Sequence, residues 1–376
     1  MIKGMHLTLM IGPAVPVPVP GEVLEALTSI QIDTHSGSQQ SGFELNFRLS
    51  PRSPLHTLFL LSGGAGIPFV RVVIMVTLNG TPEVLMDGLM THHQVQPGSA
   101  GGEATLTVQG KDLTALMTLF DFSGLPYPAM PLFTRVLFIL AKYAAFGIVP
   151  KVIPSIIEDL PIPIQRIPRH QGTDLAYIQL LAETAGYVFH MEPGPVPGLN
   201  FAYWGPEIKV GVPQPALNLD MDAHTNVESL SFSFDKEKKE LPVVFIHEPV
   251  SKAIIPIPIP DITPLNPPLG LVPPLPPTIK YLNDTARLSP LQAALQGLAY
   301  AARHADAVSG SGTLDVLRYG RVLKSRRLVG VRGAGPAFDG LYYVTKVTHR
   351  IKRGEFKQNF ELSRNALLST VPEVPV

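Results

Sequence analysis

The stretch Gly340–Leu367, "GLYYVTKVTHRIKRGEFKQNFELSRNAL", decides the fold class. A strand closes on Thr348 and His349, a turn falls at Gly354, a second strand follows, and a polar step leads into the pair Ala366 and Leu367. Tyr342, Tyr343, Phe356 and Phe360 take strand positions, as aromatic residues favour. The same grammar occurs earlier, where "LMTHHQVQPG" from Leu89 is followed by "ATLTVQGKDLTAL" from Ala104. Two readings stay open. Antiparallel hairpins resemble one another by chance, or the chain holds two copies of one barrel, with Thr91-His92 matching Thr348-His349.

Around the first hairpin the pattern has period two. Thr28, Ile30 and Ile32 alternate with polar residues, as do Phe43, Leu45, Phe47 and Leu49, and then Val70, Val72, Ile74, Val76 and Leu78. Asn79-Gly80 marks a hairpin turn, and "PGSAGGE" (97–103) joins two more strands. Closely spaced strands of this kind predict an antiparallel barrel or sandwich over residues 1–110.

From Lys111 the grammar changes, and 111–197 reads as an α/β domain. "HQGTDLAYIQLLAETAGYVFHMEPG" (170–194) holds a helix of about three turns, with Thr173 at its amino end and Gly186 as its left-handed stop. A strand through Tyr187–His190 follows. Strand patterning returns in "LNFAYW", "IKVGV" and "VESLSFSFD", so 198–234 is expected to join 311–368 in a second, discontinuous barrel. Between them, 235–310 reads as an insertion: a charged turn "DKEKKE", a proline-rich ribbon "AIIPIPIPDITPLNPPLGLVPPLPP", and a helix from Ser289 to near "SGSG" (309–312). The prolines predict an extended, polyproline-like course, and the Ile, Leu and Val content predicts that the ribbon lies against another surface. Residues 369–376 form a tail. The expected fold class is mainly β with α+β inserts: two similar antiparallel β-barrels plus helix-containing domains.

Composition narrows the function. The chain has 376 residues, 45% hydrophobic and 16% charged, with a formal net charge of zero and no cysteine. Disulfides, thiolate metal sites and cysteine nucleophiles are excluded, and low self-repulsion favours burial in an assembly. The first 22 residues are interrupted by Pro13, Pro16, Pro18 and Pro20, so no signal peptide is expected, and the chain is expected to be made in the cytoplasm. "PLFTRVLFILAKYAAFGIVP" contains Arg135 and Lys142 and reads as a buried helix rather than a membrane span. Gly310–Arg364 holds twelve Lys and Arg against four Asp and Glu. Arg318, Arg321, Lys324, Arg326 and Arg327 are therefore candidate interface residues, for an acidic protein partner rather than nucleic acid, since no nucleic-acid motif accompanies them.

Motifs for chemistry are wanting. His92 and His93 point to opposite strand faces, and His190 with Glu192 lacks a third ligand. "IHEPV" at Ile246 has no second His, "SGGAG" (62–66) lacks a phosphate-loop Lys, and the pair Asp220 and Asp222 has no visible cleft. No catalytic, metal or cofactor site is expected.

Three stretches resemble the phage late control D family, the baseplate hub family that includes the hub-like part of type VI secretion VgrG spikes. Residues 170–194 resemble its "dLdFLqrLAeeaGyyf" segment, 340–367 its last barrel with "YYV" and "RNAL", and "MDGLMTHHQVQPG" with "LTVQGKDL" the end of its first barrel. The resemblance implies a structural hub of a phage tail or contractile injection particle. This would be a homotrimer between a hexameric inner tube and a separate spike protein, contacting other baseplate proteins, without nucleic acid or direct membrane insertion. The competing expectation is a tail-tip cell-wall-degrading enzyme.

Overall fold

The computed structural model describes residues 4–13, 15–50, 53–56, 59, 69–98, 103–155, 161–164, 167–247, 253–260, 266–275, 278–288 and 290–371, the side chains of 247, 286, 287 and 291 excepted. The "SGGAG" segment and residues 372–376 lie outside them.

The first part supplies β1 (Met5–Gly12), β2 (Val17–Pro18), α1 (Gly21–Ala26), β3 (Leu27–His35), β4 (Gly42–Leu49), β5 (Arg71–Leu78), β6 (Thr81–Gln96) and β7 (Ala104–Asp112). Alternation sets the faces: Phe43, Leu45, Phe47 and Leu49 are buried while the residues between them face outward. Asn79 and Gly80, with φ of 51° and 83°, turn β5 into β6 in the left-handed conformations that a tight hairpin demands. The strands form an arc in the order β1-β5-β6-β7-β4-β3.

A second unit follows, with α2 (Leu132–Ala141), β8 (Ile148–Val152), α3 (Asp174–Ala185), β9 (Val188–Pro193) and β10 (Asn200–Gly205). Helix α3 starts where Thr173 Oγ1 accepts the Ala176 N–H at 3.3 Å and ends at Gly186, φ 72°. A Cβ at Gly186 would also sit 2.9 Å from the Ala299 Cβ, so conformation and packing both demand glycine. Leu175, Ile178, Leu181, Ala182 and Ala185 bury one face of α3. Each large aliphatic residue there contributes about 1.5–3 kcal/mol. β10 pairs in parallel with β8 and antiparallel with β9, which corrects the expected boundary: 198–205 belongs to the α/β sheet, not to the later strands. "IKVGV" forms no strand; its Lys209 is buried and bonds Asp306 at 2.8 Å.

The remaining elements are β11 (Gln214–Asn218), β12 (Val227–Phe234), β13 (Glu240–His247), β14 (Ile254–Pro258), β15 (Gly270–Val272), β16 (Thr278–Leu282), α4 (Pro290–Arg303), β17 (Val308–Asp315), α5 (Val316–Tyr319), β18 (Leu328–Arg332), β19 (Gly340–Lys352), β20 (Glu355–Arg364) and β21 (Leu367–Ser369). The described parts of the proline-rich ribbon are edge strands rather than pure polyproline: β14 borders β13, and β15 pairs with β21. The Ile-Pro alternation explains the edge position. Ile259 N–H bonds Pro242 O, so residues of that parity donate inward, and Pro256 and Pro258 place their missing donors on the free edge. Ile259 and Leu269 are buried, whereas Ile254 and Leu271 are exposed. "SGSG" is not the end of a helix but part of β17. A Cβ on Gly312 would lie 2.3 Å from Ser229 O, and one on Gly310 2.8 Å from the Phe232 ring, so close strand packing requires these glycines.

β11, β12, β17, β18, β19 and β20 form a second arc in the order β11-β18-β19-β20-β17-β12. Taken in chain order, its strands occupy the same places as those of the first arc. One sense differs: β1–β5 is antiparallel and β11–β18 parallel. Residues 235–307 leave between β12 and β17, which pair directly from Phe234↔Val308 to Val227↔Leu314. The arcs join where β3 pairs with β19, from Ser29↔Lys352 to His35↔Lys346, and one contiguous apolar core runs through both.

The hairpins β6–β7 and β19–β20 each carry a bulge, at Thr91 and at Thr345. This corrects the expected match. By the bulges, Thr91 corresponds to Thr345, and Thr348-His349 stands three residues further along its strand. Their environments agree with that: Thr91 and His92 are exposed, Thr348 and His349 buried.

Candidate assembly surface

Joining the arcs through β3 and β19 aligns their residues into rows across the sheet. One row runs Gln109, Glu44, Gln31, Arg350, Lys357, Asp315. The next runs Lys111, Gly42, Asp33, Thr348, Asn359, Thr313, Ser229 over seven strands, and a third runs His35, Lys346, Glu361, Ser311, Ser231. Directly paired residues share a face, so these rows form one polar wall. The row between the first two, Gly110, Phe43, Ile32, His349, Gln358, Leu314, Val227, faces the core.

The wall is laced by side-chain hydrogen bonds. Thr348 Oγ1 donates to Asp33 Oδ1 at 2.5 Å, Gln31 Nε2 to Asp33 Oδ2 at 3.0 Å, and Gln109 Nε2 to Glu44 Oε2 at 2.9 Å. Thr107 Oγ1 donates to Asn46 Oδ1 at 2.7 Å, and Lys346 lies 3.9 Å from Glu361. These ties fix side-chain positions across both arcs, and the surface mixes both charge signs. Chemically it suits a broad wetted contact or a conduit lining, because its polar groups run in rows over up to seven strands and bond one another. Among the described residues, no group of three His, Asp or Glu is placed to hold a metal.

The cations singled out by charge lie on α5 and the loop after it, which packs on the core-facing side of the sheet, where Leu323 N–H donates to Gln358 Oε1 at 2.9 Å. Arg318, Arg321 and Arg327 are exposed. Lys324 is paired 2.7 Å from Glu83 on β6, tying the loop to the first arc. Arg326 turns inward with φ 61°; its N–H bonds Val344 O at 2.9 Å, and burial holds its guanidinium below the usual range. Beside it, burial lowers His190 to about 4, and the hydrogen bond from His190 lowers Glu192 to about 2. The two side chains meet at 3.3 Å, with His190 neutral and Glu192 ionised at neutral pH. His349 is likewise held at about 4 by burial, and its Nδ1 accepts from Gln358 Nε2 at 3.1 Å. Asp220 and Asp222 sit at left-handed backbone positions beside a short turn, and His92 and His93 lie on β6.

The wall residues escaped the sequence reading, although they are the polar complement of the apolar alternation in "TSIQIDTH", "FELNFRL" and "ATLTVQG". Their alignment depends on the β3–β19 pairing, between segments more than 300 residues apart.

No protein-family profile and no curated protein matches the chain. Solved structures do. A tail protein from Neisseria meningitidis MC58 superposes with a TM-score of 0.62 at 15% identity, over 96% of this chain and 97% of that one. The 43 kDa tail protein of prophage MuSo2 from Shewanella oneidensis gives 0.63 at 14%, over 96% and 99%. The E. coli c3393 protein, a component of the type VI secretion system with structural similarity to the T4 bacteriophage tail proteins gp27 and gp5, gives 0.53 at 13%, over 93% and 78%. The chain thus carries, along nearly its whole length, the mainly β fold of phage tail proteins.

Proposed function

We propose that this chain is the structural hub of a contractile tail or injection system, a homotrimer that adapts a hexameric inner tube to a trimeric spike made by another protein. The observation that carries the reading is the pair of arcs with one strand order, fused edge to edge in a single sheet. Read as two β-barrels, 1–112 and 214–234 with 308–368, they give each subunit two similar surfaces. Three subunits then present six, which meets a sixfold tube without mismatch. The fold likeness to tail proteins over whole chains supports the same assignment. The polar wall crosses both arcs and is the surface offered to the tube or channel, and the exposed cations Arg318, Arg321 and Arg327 add electrostatic docking. In this role the protein works by shape and contact, as part of a particle with other baseplate proteins, and not as an enzyme.

Native mass spectrometry at micromolar concentration tests the reading. The expected species is three times the 40.7 kDa chain mass. Monomer alone, persisting after addition of the tube and spike proteins of the same particle, refutes it.

A further inference from the structure

Where residues 322–327 pass between β6, β9 and β19, a cavity of about 110 Å³ opens, with Glu83, Glu192, Lys324, Arg326, Arg327 and His349 in its lining. All three large units of the fold meet there. Arg326 Nε and Nη2 are buried and have no hydrogen-bond partner among the described residues. A non-glycine residue in the left-handed region is strained, yet two backbone bonds, Arg326 N–H to Val344 O and Val344 N–H to Arg327 O, both 2.9 Å, hold this one in place. The fold thus fixes at the cavity a guanidinium two of whose nitrogens are buried and have no partner among the described residues. Such a group is costly unless an anion completes it.

We propose that this cavity binds a single carboxylate group, with Arg326 as its principal ligand. Charge selects the ligand. Lys324 is already neutralised by Glu83 at 2.7 Å, and Glu192 is engaged by the neutral ring of His190 at 3.3 Å. Lys324, Arg326 and Arg327 outnumber Glu83 and Glu192 by one, so one negative charge completes the site, while the two resident carboxylates repel a phosphate dianion. Shape agrees: a planar guanidinium fork matches a carboxylate, and 110 Å³ is room for about three waters or one carboxylate with its attached carbon. The carboxylate comes either from a free small acid or from an acidic side chain of a neighbouring polypeptide. The site stands apart from the hub reading, since it requires only this chain.

The test uses the full-length protein and sodium acetate against sodium chloride at constant ionic strength and pH 7.5. Thermal melting and titration calorimetry should show a saturable, acetate-specific effect, half-saturated between tens of micromolar and several millimolar, as a ligand of so few atoms allows. Arg326→Gln should abolish it, and Arg326→Lys, which keeps the charge but loses the fork, should weaken it at least tenfold. An end-blocked peptide carrying one Glu competes with acetate if the site takes a polypeptide side chain; binding of acetate without that competition assigns a free acid. If Arg326→Gln fails to fold, the wild type titrated with acetate and followed by arginine 15Nε NMR gives the answer: one strongly shifted resonance supports the site. No acetate-specific effect in the wild type, or an unchanged effect in Arg326→Gln, overturns it.

Discussion

Asp87→Asn should destabilise the α/β unit and its seat on the first arc by about 3–5 kcal/mol, the usual cost of removing one partner from a buried ion pair. Arg71 grips Asp87 with both arms of its fork, Nε to Oδ1 and Nη2 to Oδ2, each at 2.7 Å. Asn200 Nδ2 donates to the same carboxylate at 2.8 Å, and Arg71 Nη2 also reaches Gly198 O at 3.1 Å. Arg71, Asp87 and Asn200 are 4%, 1% and 0% exposed, so water does not replace the lost charge. The amide that replaces the carboxylate turns either a donor or a single neutral acceptor toward the guanidinium. The only tryptophan, Trp204, is fully buried on the same strand as Asn200, so its fluorescence follows this unit during urea unfolding. With a slope near 1.5 kcal/mol per molar for a unit of this size, the midpoint should fall by roughly 2–3 M. The double variant Arg71→Met with Asp87→Leu removes both charges and should recover part of the loss, the rest staying with Asn200 Nδ2 and Gly198 O, which lose these partners. A shift below about 0.5 M for Asp87→Asn, or a double variant no more stable than the single one, refutes the reasoning.

Three other outcomes follow from the geometry. His349 is held at about 4 in the folded protein against about 6.5 unfolded, so its contribution is fully present above pH 6.5 and is lost as pH falls from there toward 4. That linkage amounts to about 3 kcal/mol, and His349→Gln should flatten the dependence of urea stability on pH between 6.5 and 4.5; an unchanged slope counts against it. Gly312→Ala forces a Cβ to within 2.3 Å of Ser229 O and should cost about 1–3 kcal/mol by opening the β12–β17 ladder, read as faster amide hydrogen exchange in Val227–Phe234; exchange at the wild-type rate contradicts this. Reversing Arg318, Arg321 and Arg327 to Glu leaves Lys324 and Arg326 in place and should weaken co-assembly with the tube protein, most at low salt, whereas equal assembly at every salt concentration removes these residues from the interface.

Much of the fold is legible in the chain because period-two alternation names the buried face of a strand. The first-arc strands, the Asn79-Gly80 hairpin and the capped helix α3 all follow from local residues. Partner choice is not local. The run "LNFAYW" announces a strand but not its neighbours, and β10 pairs with β8 and β9 because its buried Ala202 and Trp204 share the core of α2 and α3. "SGSG" reads as a break because the reason for its glycines, the Phe232 ring and Ser229 O, lies some 80 residues earlier. The two Thr-His pairs look equivalent until the bulges at Thr91 and Thr345 fix the register. At the cavity, the charge of the segment points to Arg326, while its neighbours in the lining, Glu83 and Glu192, come from strands that only the fold brings near it.

A cryo-EM map of the purified oligomer tests the central claim most directly. The expected map is a threefold ring in which the first and second arcs alternate at nearly equal radius, giving six similar sheets around the axis and the wall of Asp33, Thr348 and Asn359 on a shared surface. A particle without threefold symmetry, or a ring in which the two arcs lie at clearly different radii and only one reaches the axial surface, contradicts it.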